Sequence, residues 1–142
     1  MLLQHGASIN AEDEDGRRPL HTVAFAANPR CLTLLLPYAA HGGIDAASHD
    51  GLTPLHYASL GGSEPCVAML LNARATIDSA DEDGRTALSW ASSEAHDGVM
   101  SLLLGARANP SAPDANGMTP LHHAAKAATV ASVQVLLRGG AS

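Results

Sequence analysis

The chain has 142 residues, 46% of them hydrophobic and only 3% aromatic, and carries 14 acidic against 8 basic side chains for a net charge of −6. That length suits one domain, and the apolar content suits a packed core rather than disorder. An acidic balance argues against nucleic acid or anionic lipid as a partner, since both bind clustered cations, and no stretch approaches the roughly 20 apolar residues of a membrane helix.

The opening MLLQHGAS (1–8) has no basic lead and only a stub of apolar residues, so it does not read as a signal peptide. Next comes a phrase that returns in four copies: GRRPLHTVAF from Gly16, GLTPLHYASL from Gly51, GRTALSWASS from Gly84 and GMTPLHHAAK from Gly117, at separations of 35, 33 and 33 residues. An Asp-Gly or Asn-Gly pair at each start favours a tight hairpin, because glycine accepts positive φ without strain. Thr53, Thr86 and Thr119 then stand where a helix N-cap belongs, and Pro19, Pro54 and Pro120 at the first helical position. Leu20, Leu55, Leu88 and Leu121 share one helical face with Val23, Ala58, Ala91 and Ala124, three residues on. This first helix is expected to stop at Asn28-Pro29, at Gly61-Gly62 and near Asp97-Gly98; in the last copy Thr129 is the expected cap of the helix that follows. A second helix then runs back through CLTLLL (31–36), CVAMLL (66–71), VMSLLL (99–104) and SVQVLL (132–137), with Leu36, Leu71 and Leu104 expected to be covered.

A period near 33 carrying T-P-L-H-x-A closely resembles the ankyrin repeat family, over essentially the whole chain. The resemblance implies an all-α repeat solenoid: stacked antiparallel helix pairs with projecting β-hairpin fingers, near residues 10–17, 44–52, 77–85 and 109–118. One domain spans 1–142, divided into the tail of a preceding repeat (1–12), repeats at 13–47, 48–80 and 81–113, and an incomplete fourth at 114–142. The opening and the closing LLRGGAS (136–142) sit at the same point of the cycle, which reads as a segment cut from a longer array. The alternative is that Met1 is a true start and the half-repeat frays.

Several residues invite chemistry. His21, His56 and His122 recur at one repeat position, where the family resemblance implies a tie between hairpin and helix. Repeats stack roughly 8–10 Å apart, too far for their histidines to share a zinc ion, so neither metal nor cofactor is expected. Cys31 and Cys66 also recur in phase and read as small core hydrophobes, unpaired and slow to react. Two cysteines fit a reducing, intracellular setting, cytoplasmic or nuclear. Trp90, aligned with Tyr57, reads as a ring packed between helices. Repeat one has Arg18 in place of the capping threonine; repeat three has Ala87 for proline and Ser89 for histidine, which should weaken its tie. Two extra residues follow Leu36, where Pro37 should end the helix and lift Tyr38 and His41 into a bulged corner. Asn10, with Leu2 eight residues earlier, resembles the finger asparagine that oxygenases hydroxylate in some ankyrin proteins; Asp45 and Asp78 stand in its place in the next fingers, and Pro110 makes Asn109 a poor second site.

No nucleophile–base pair or phosphate loop emerges, so the chain reads as a non-catalytic scaffold binding a protein or peptide across its fingers and first helices. By the resemblance, the partner-facing positions are Glu14, Asp15, Arg17, Phe25 and Ala26 in repeat one and His49, Asp50, Leu52 and Leu60 in repeat two. Repeats three and four offer Glu82, Asp83, Arg85, Ser93 and Glu94, then Ala115, Asn116, Met118 and Lys126. This mixed acidic and apolar strip suits a basic or amphipathic peptide, with flanking repeats of a parent chain as further partners. Two alternatives are a structural spacer within a longer array and, remotely, a hydrolase-type enzyme.

Overall fold

Each copy of the phrase folds into two short antiparallel helices. The computed structural model describes residues 8–39 and 43–142. Among them lie eight α-helices: α1 (Pro19–Phe25), α2 (Pro29–Leu35), α3 (Pro54–Gly61), α4 (Glu64–Asn72), α5 (Ala87–Ser93), α6 (Asp97–Gly105), α7 (Pro120–Lys126) and α8 (Val130–Arg138). The odd-numbered helices pack in sequence as an inner layer and the even-numbered ones as an outer layer, each pair touching the next.

The caps follow the hydroxyls. Thr53 and Thr86 accept the N–H groups of His56 and Ser89; Thr119 stands at the N-cap of α7 with its hydroxyl against the His122 ring rather than in a cap bond, and Arg18 gives α1 no side-chain cap. Asn28 and Ser63 cap α2 and α4 through the N–H groups of Cys31 and Cys66. Thr129 occupies the N-cap of α8 as expected, yet its hydroxyl makes no cap bond and lies buried without a partner. The first helices end at left-handed residues, Ala27, Gly62, Ala95 and Ala128. α1 and α5 therefore stop ahead of Asn28 and Asp97, because the chain reverses at an alanine that the sequence does not flag as a breaker.

Each finger is a turn rather than a strand pair, and no strand is formed among the described residues. The N–H of Asp81 reaches the Arg85 carbonyl at 3.0 Å, and that of Gly84 reaches the Asp81 carbonyl at 3.0 Å. Gly84 needs its left-handed φ of 75°, and a Cβ there would sit 2.8 Å from the Ala115 nitrogen of the next finger. Neighbouring fingers are joined by one backbone bond each: His49 N–H to Asp15 O, Glu82 N–H to Asp50 O, and Ala115 N–H to Asp83 O.

The core is aliphatic. Leu20, Leu55 and Leu88 of the inner layer and Leu32, Leu70, Leu103 and Leu136 of the outer layer are buried, with Val67, Val99 and Met100 between them. Truncating one such leucine to alanine costs about 2–5 kcal/mol. Leu36, Leu71 and Leu104 are only half-buried, because adjacent helical residues diverge by about 100° and the preceding position takes the inward slot in the later pairs. They pack against the core from its edge; Leu104 reaches the position where a Cβ on Gly139 would stand. The two cysteines part company: Cys66 is buried and Cys31 is exposed. Helix α4 has an outer neighbour on each side, whereas α2 is flanked on one side only among the described residues. After α2, Leu36–Tyr38 and Gly43–Asp45 form single 3₁₀ turns, and Tyr38 is exposed as expected. His41 lies outside the described residues, as do Leu2 and His5.

Candidate binding groove

The inner layer and the fingers present one face, on which equivalent residues of each copy stand side by side. Its base is fixed by the histidines. His56 Nδ1 accepts the Thr53 N–H at 3.0 Å, so Nε2 carries the proton and donates to the Arg85 carbonyl of the next copy at 3.0 Å. His21 repeats this between the Arg18 N–H, at 2.9 Å, and the Ala46 carbonyl, at 2.7 Å. Both ring nitrogens are thereby occupied, and burial lowers both imidazole pKa values against the opposing pull of the carbonyls. His122 makes the same cap contact at 3.0 Å but is exposed, and Ser89 reaches only its own Thr86. His96, at the N-cap of α6, meets the Leu60 carbonyl at 3.0 Å.

Three residues before each finger glycine stands Asp13, Ser48, Asp81 or Asp114, and this side chain folds back into its own turn. Asp81 accepts the N–H groups of Asp83 and Arg85 at 3.0 and 2.8 Å, and its other oxygen takes the indole N–H of Trp90 at 2.8 Å. Asp114 accepts from Asn116 and Met118, both at 2.9 Å, and meets His123 Nε2 at 2.9 Å. Burial pushes the Asp114 carboxyl up, but the N–H groups of Met118 and Asn116 and the His123 ring hold it below the ordinary carboxylate value. Asp13, bonded to the Arg17 N–H and side chain, is lowered for the same reason. Asp81 and Asp114 are buried turn residues and add nothing to the acidic strip of the face. Glu14, Asp15, Glu82 and Asp83 are exposed.

Two hollows open on this face, two copies apart. The first, of about 410 Å³, lies between the first and second copies, lined by Arg17, Thr22, Phe25, Tyr57 and Leu60 among others. Phe25 meets Tyr57 edge-on with ring centres 6.2 Å apart, and remains 52% exposed. The second, of about 310 Å³, lies between the third and fourth copies, walled by Arg85, Trp90, Glu94, Met118, His123 and Lys126. Its Arg85 guanidinium stacks 4.8 Å above the Trp90 ring, and Arg85 Nε lies 4.0 Å from Asp114. Tyr57, Trp90 and His123 stand at the same distance past their finger glycines, so the hollows are the same inter-repeat recess with different walls.

The family described as Ankyrin repeats (3 copies) matches over residues 1–81 and again over 73–142. The chain belongs to the ankyrin-repeat family. No curated protein matches it. Ankyrin repeats generally serve as protein–protein interaction modules without catalysis, and no helix among the described residues is long and apolar enough to cross a membrane.

Within this ankyrin face the candidate residues fall into two groups. Arg17, Phe25 and Leu60 line the first hollow; Arg85, Ser93, Glu94, Met118 and Lys126 line the second. Glu14, Asp15, His49, Asp50, Glu82, Asp83, Ala115 and Asn116 are exposed on the fingers, Ala26 is exposed at the end of α1, and Leu52 is half-buried. Sequence reasoning missed Asp13, Thr22 and His123 as lining, and took Trp90 and Tyr57 as interhelical packing. The available signal was positional, since all but Asp13 sit one residue past the ladder-histidine position. Asn10 is exposed and its side-chain oxygen accepts from Arg18 at 3.2 Å; Ser111 rather than Asn109 shares its phase.

Proposed function

We propose that the chain binds a protein or peptide segment lengthwise along the fingers and inner helices, as an interaction scaffold rather than an enzyme. The observation that carries this reading is the recurrence of one recess at both ends of a single face, each walled by an exposed or half-exposed aromatic ring. Phe25 and Leu60 supply the apolar anchor, and such anchors in recesses tend to dominate binding energy. The exposed carboxylates of Glu14, Asp15, Glu82 and Asp83 favour basic residues in the partner where it crosses the fingers. Val130 and Leu137, 73% and 54% exposed on α8, fit a further repeat stacked beside the fourth copy, so recognition and array-building are compatible roles.

The test is selection of random dodecapeptides on the immobilised chain. An enriched set whose affinity falls roughly tenfold or more in Phe25→Ala or Leu60→Ala is the expected result. Raising salt, or reversing Glu14, Asp15, Glu82 and Asp83 to lysine, should weaken the same peptides. No enrichment, or peptides indifferent to both groove substitutions, would overturn the reading.

A further inference from the structure

We infer that the hollow between the third and fourth copies is a seat for a carboxylate side chain, an Asp or Glu of the bound segment. The inference rests on the groove reading above and adds the chemistry of one position. The chain has eight basic residues. Arg30, Arg74, Arg107 and Arg138 lie in or just after the outer helices, away from the groove. Arg17 and Arg18 are held by carboxylates of their own finger: Arg17 by Asp13 and Asp15, each at 2.9 Å, and Arg18 by Glu12 at 3.3 Å. The remaining two, Arg85 and Lys126, wall the same hollow.

Neither of these cations is fully neutralised there. Lys126 makes no ion pair among the described residues, and Arg85 makes one loose pair, its Nε 4.0 Å from the Asp114 carboxylate, which is already bonded to three other groups. Arg85 Nε is buried with no hydrogen-bond partner among the described residues. The guanidinium is fixed by stacking on Trp90, which Asp81 in turn holds through its indole N–H. A pre-oriented guanidinium loses little rotamer freedom on meeting a carboxylate, and its planar fork matches both oxygens. Trp90 and Met118 offer apolar surface for the methylenes of that side chain. Glu94 is the one opposing charge in the wall, and it sets the margin of preference.

The spacing between the two hollows then defines a motif. Two repeat steps of roughly 8–10 Å separate them, a span that an extended chain covers in about five or six residues at roughly 3.3 Å each. The bound segment therefore carries an apolar anchor for Phe25 and Leu60, and an acidic residue about five or six positions away.

The position-specific composition of the selected dodecapeptides tests this. An acidic residue should be enriched at that offset from the apolar anchor, and replacing it by lysine should cost roughly tenfold in affinity or more. Lys126→Glu, an exposed substitution, and Arg85→Glu should each reverse the preference at that position, while Glu94→Gln should sharpen it. Circular dichroism should show each variant to be folded before its peptides are compared. Peptides that bind through Phe25 and Leu60 with no acidic preference at that offset, or with one that Lys126→Glu leaves unchanged, would overturn the carboxylate seat while sparing the groove. Failure of the selection itself would remove both.

Discussion

His56 accepts one hydrogen bond from its own helix cap and donates another to the neighbouring copy, so it fits its site only as the neutral Nε2–H tautomer. Protonating Nδ1 would set a second donor against the Thr53 N–H. Its pKa, like that of His21, is lowered by burial below the ordinary 6.5. An unfolded chain therefore binds protons at these sites before the folded one does, and stability should be fully present above about pH 6.5 and decline as the pH falls through it. The lowered carboxyls of Asp13 and Asp114 act in the same direction, their contribution being lost below the ordinary 3.8. Urea midpoints measured from pH 7.5 to 5 should fall; a flat or rising profile would contradict the neutral-histidine tie. Replacing His56 by alanine should cost roughly 2–4 kcal/mol, because it orphans a buried N–H and a carbonyl, and His122→Ala less, because that ring is exposed. The thiols give a second check at this scale. Cys31 should react with a thiol reagent at once in the native protein and Cys66 only on unfolding.

The turns that end the inner helices are a matter of element rather than residue. Ala95 adopts φ 57° where the second copy has Gly62 at 75°. A left-handed alanine costs about 1 kcal/mol, so Ala95→Gly should raise the urea midpoint, an inversion of the usual penalty for glycine. Gly61→Ala should lower it, since the added Cβ would stand 2.7 Å from the Phe25 carbonyl of α1. This reversal at alanine was not legible in the sequence, because only glycine announces a left-handed corner and a packed neighbour can impose one on any small residue. The glycine-headed fingers, threonine caps and paired helices were legible, since each follows from local backbone chemistry. The inward turn of Asp81 was not. In the run Asp81-Glu82-Asp83 all three acids look alike, and what separates Asp81 is its place three residues before the finger glycine, where it accepts the N–H groups of its own turn and, in addition, the Trp90 indole N–H. The exposure of Cys31 was hidden for a related reason, burial here being a property of the neighbouring pair and not of the repeat position.

At the scale of the whole molecule, stability passes from pair to pair, each packing chiefly against its neighbours among the described residues. The weakest junction should be that between the third and fourth copies, where Ser89 replaces the bridging histidine and an unbonded Thr129 hydroxyl is buried at the start of α8. Native-state hydrogen exchange should therefore be fastest in α7 and α8 and slowest in α3 to α6; uniform protection would show that the Arg85 contact with Asp114 fully replaces the missing tie. The bonds between fingers have a different reach. His49, Glu82 and Ala115 each donate a main-chain N–H to the preceding finger, so assembly at these points reads no side chain at all. Nineteen of the twenty amino acids keep that donor, and only proline lacks it. The fingertips are thus open to mutational drift: an ancestral unit can be duplicated, shuffled or given a new tip while its grip on its neighbour stays unchanged, and a proline scan of positions 49, 82 and 115 would mark the three places where that freedom ends.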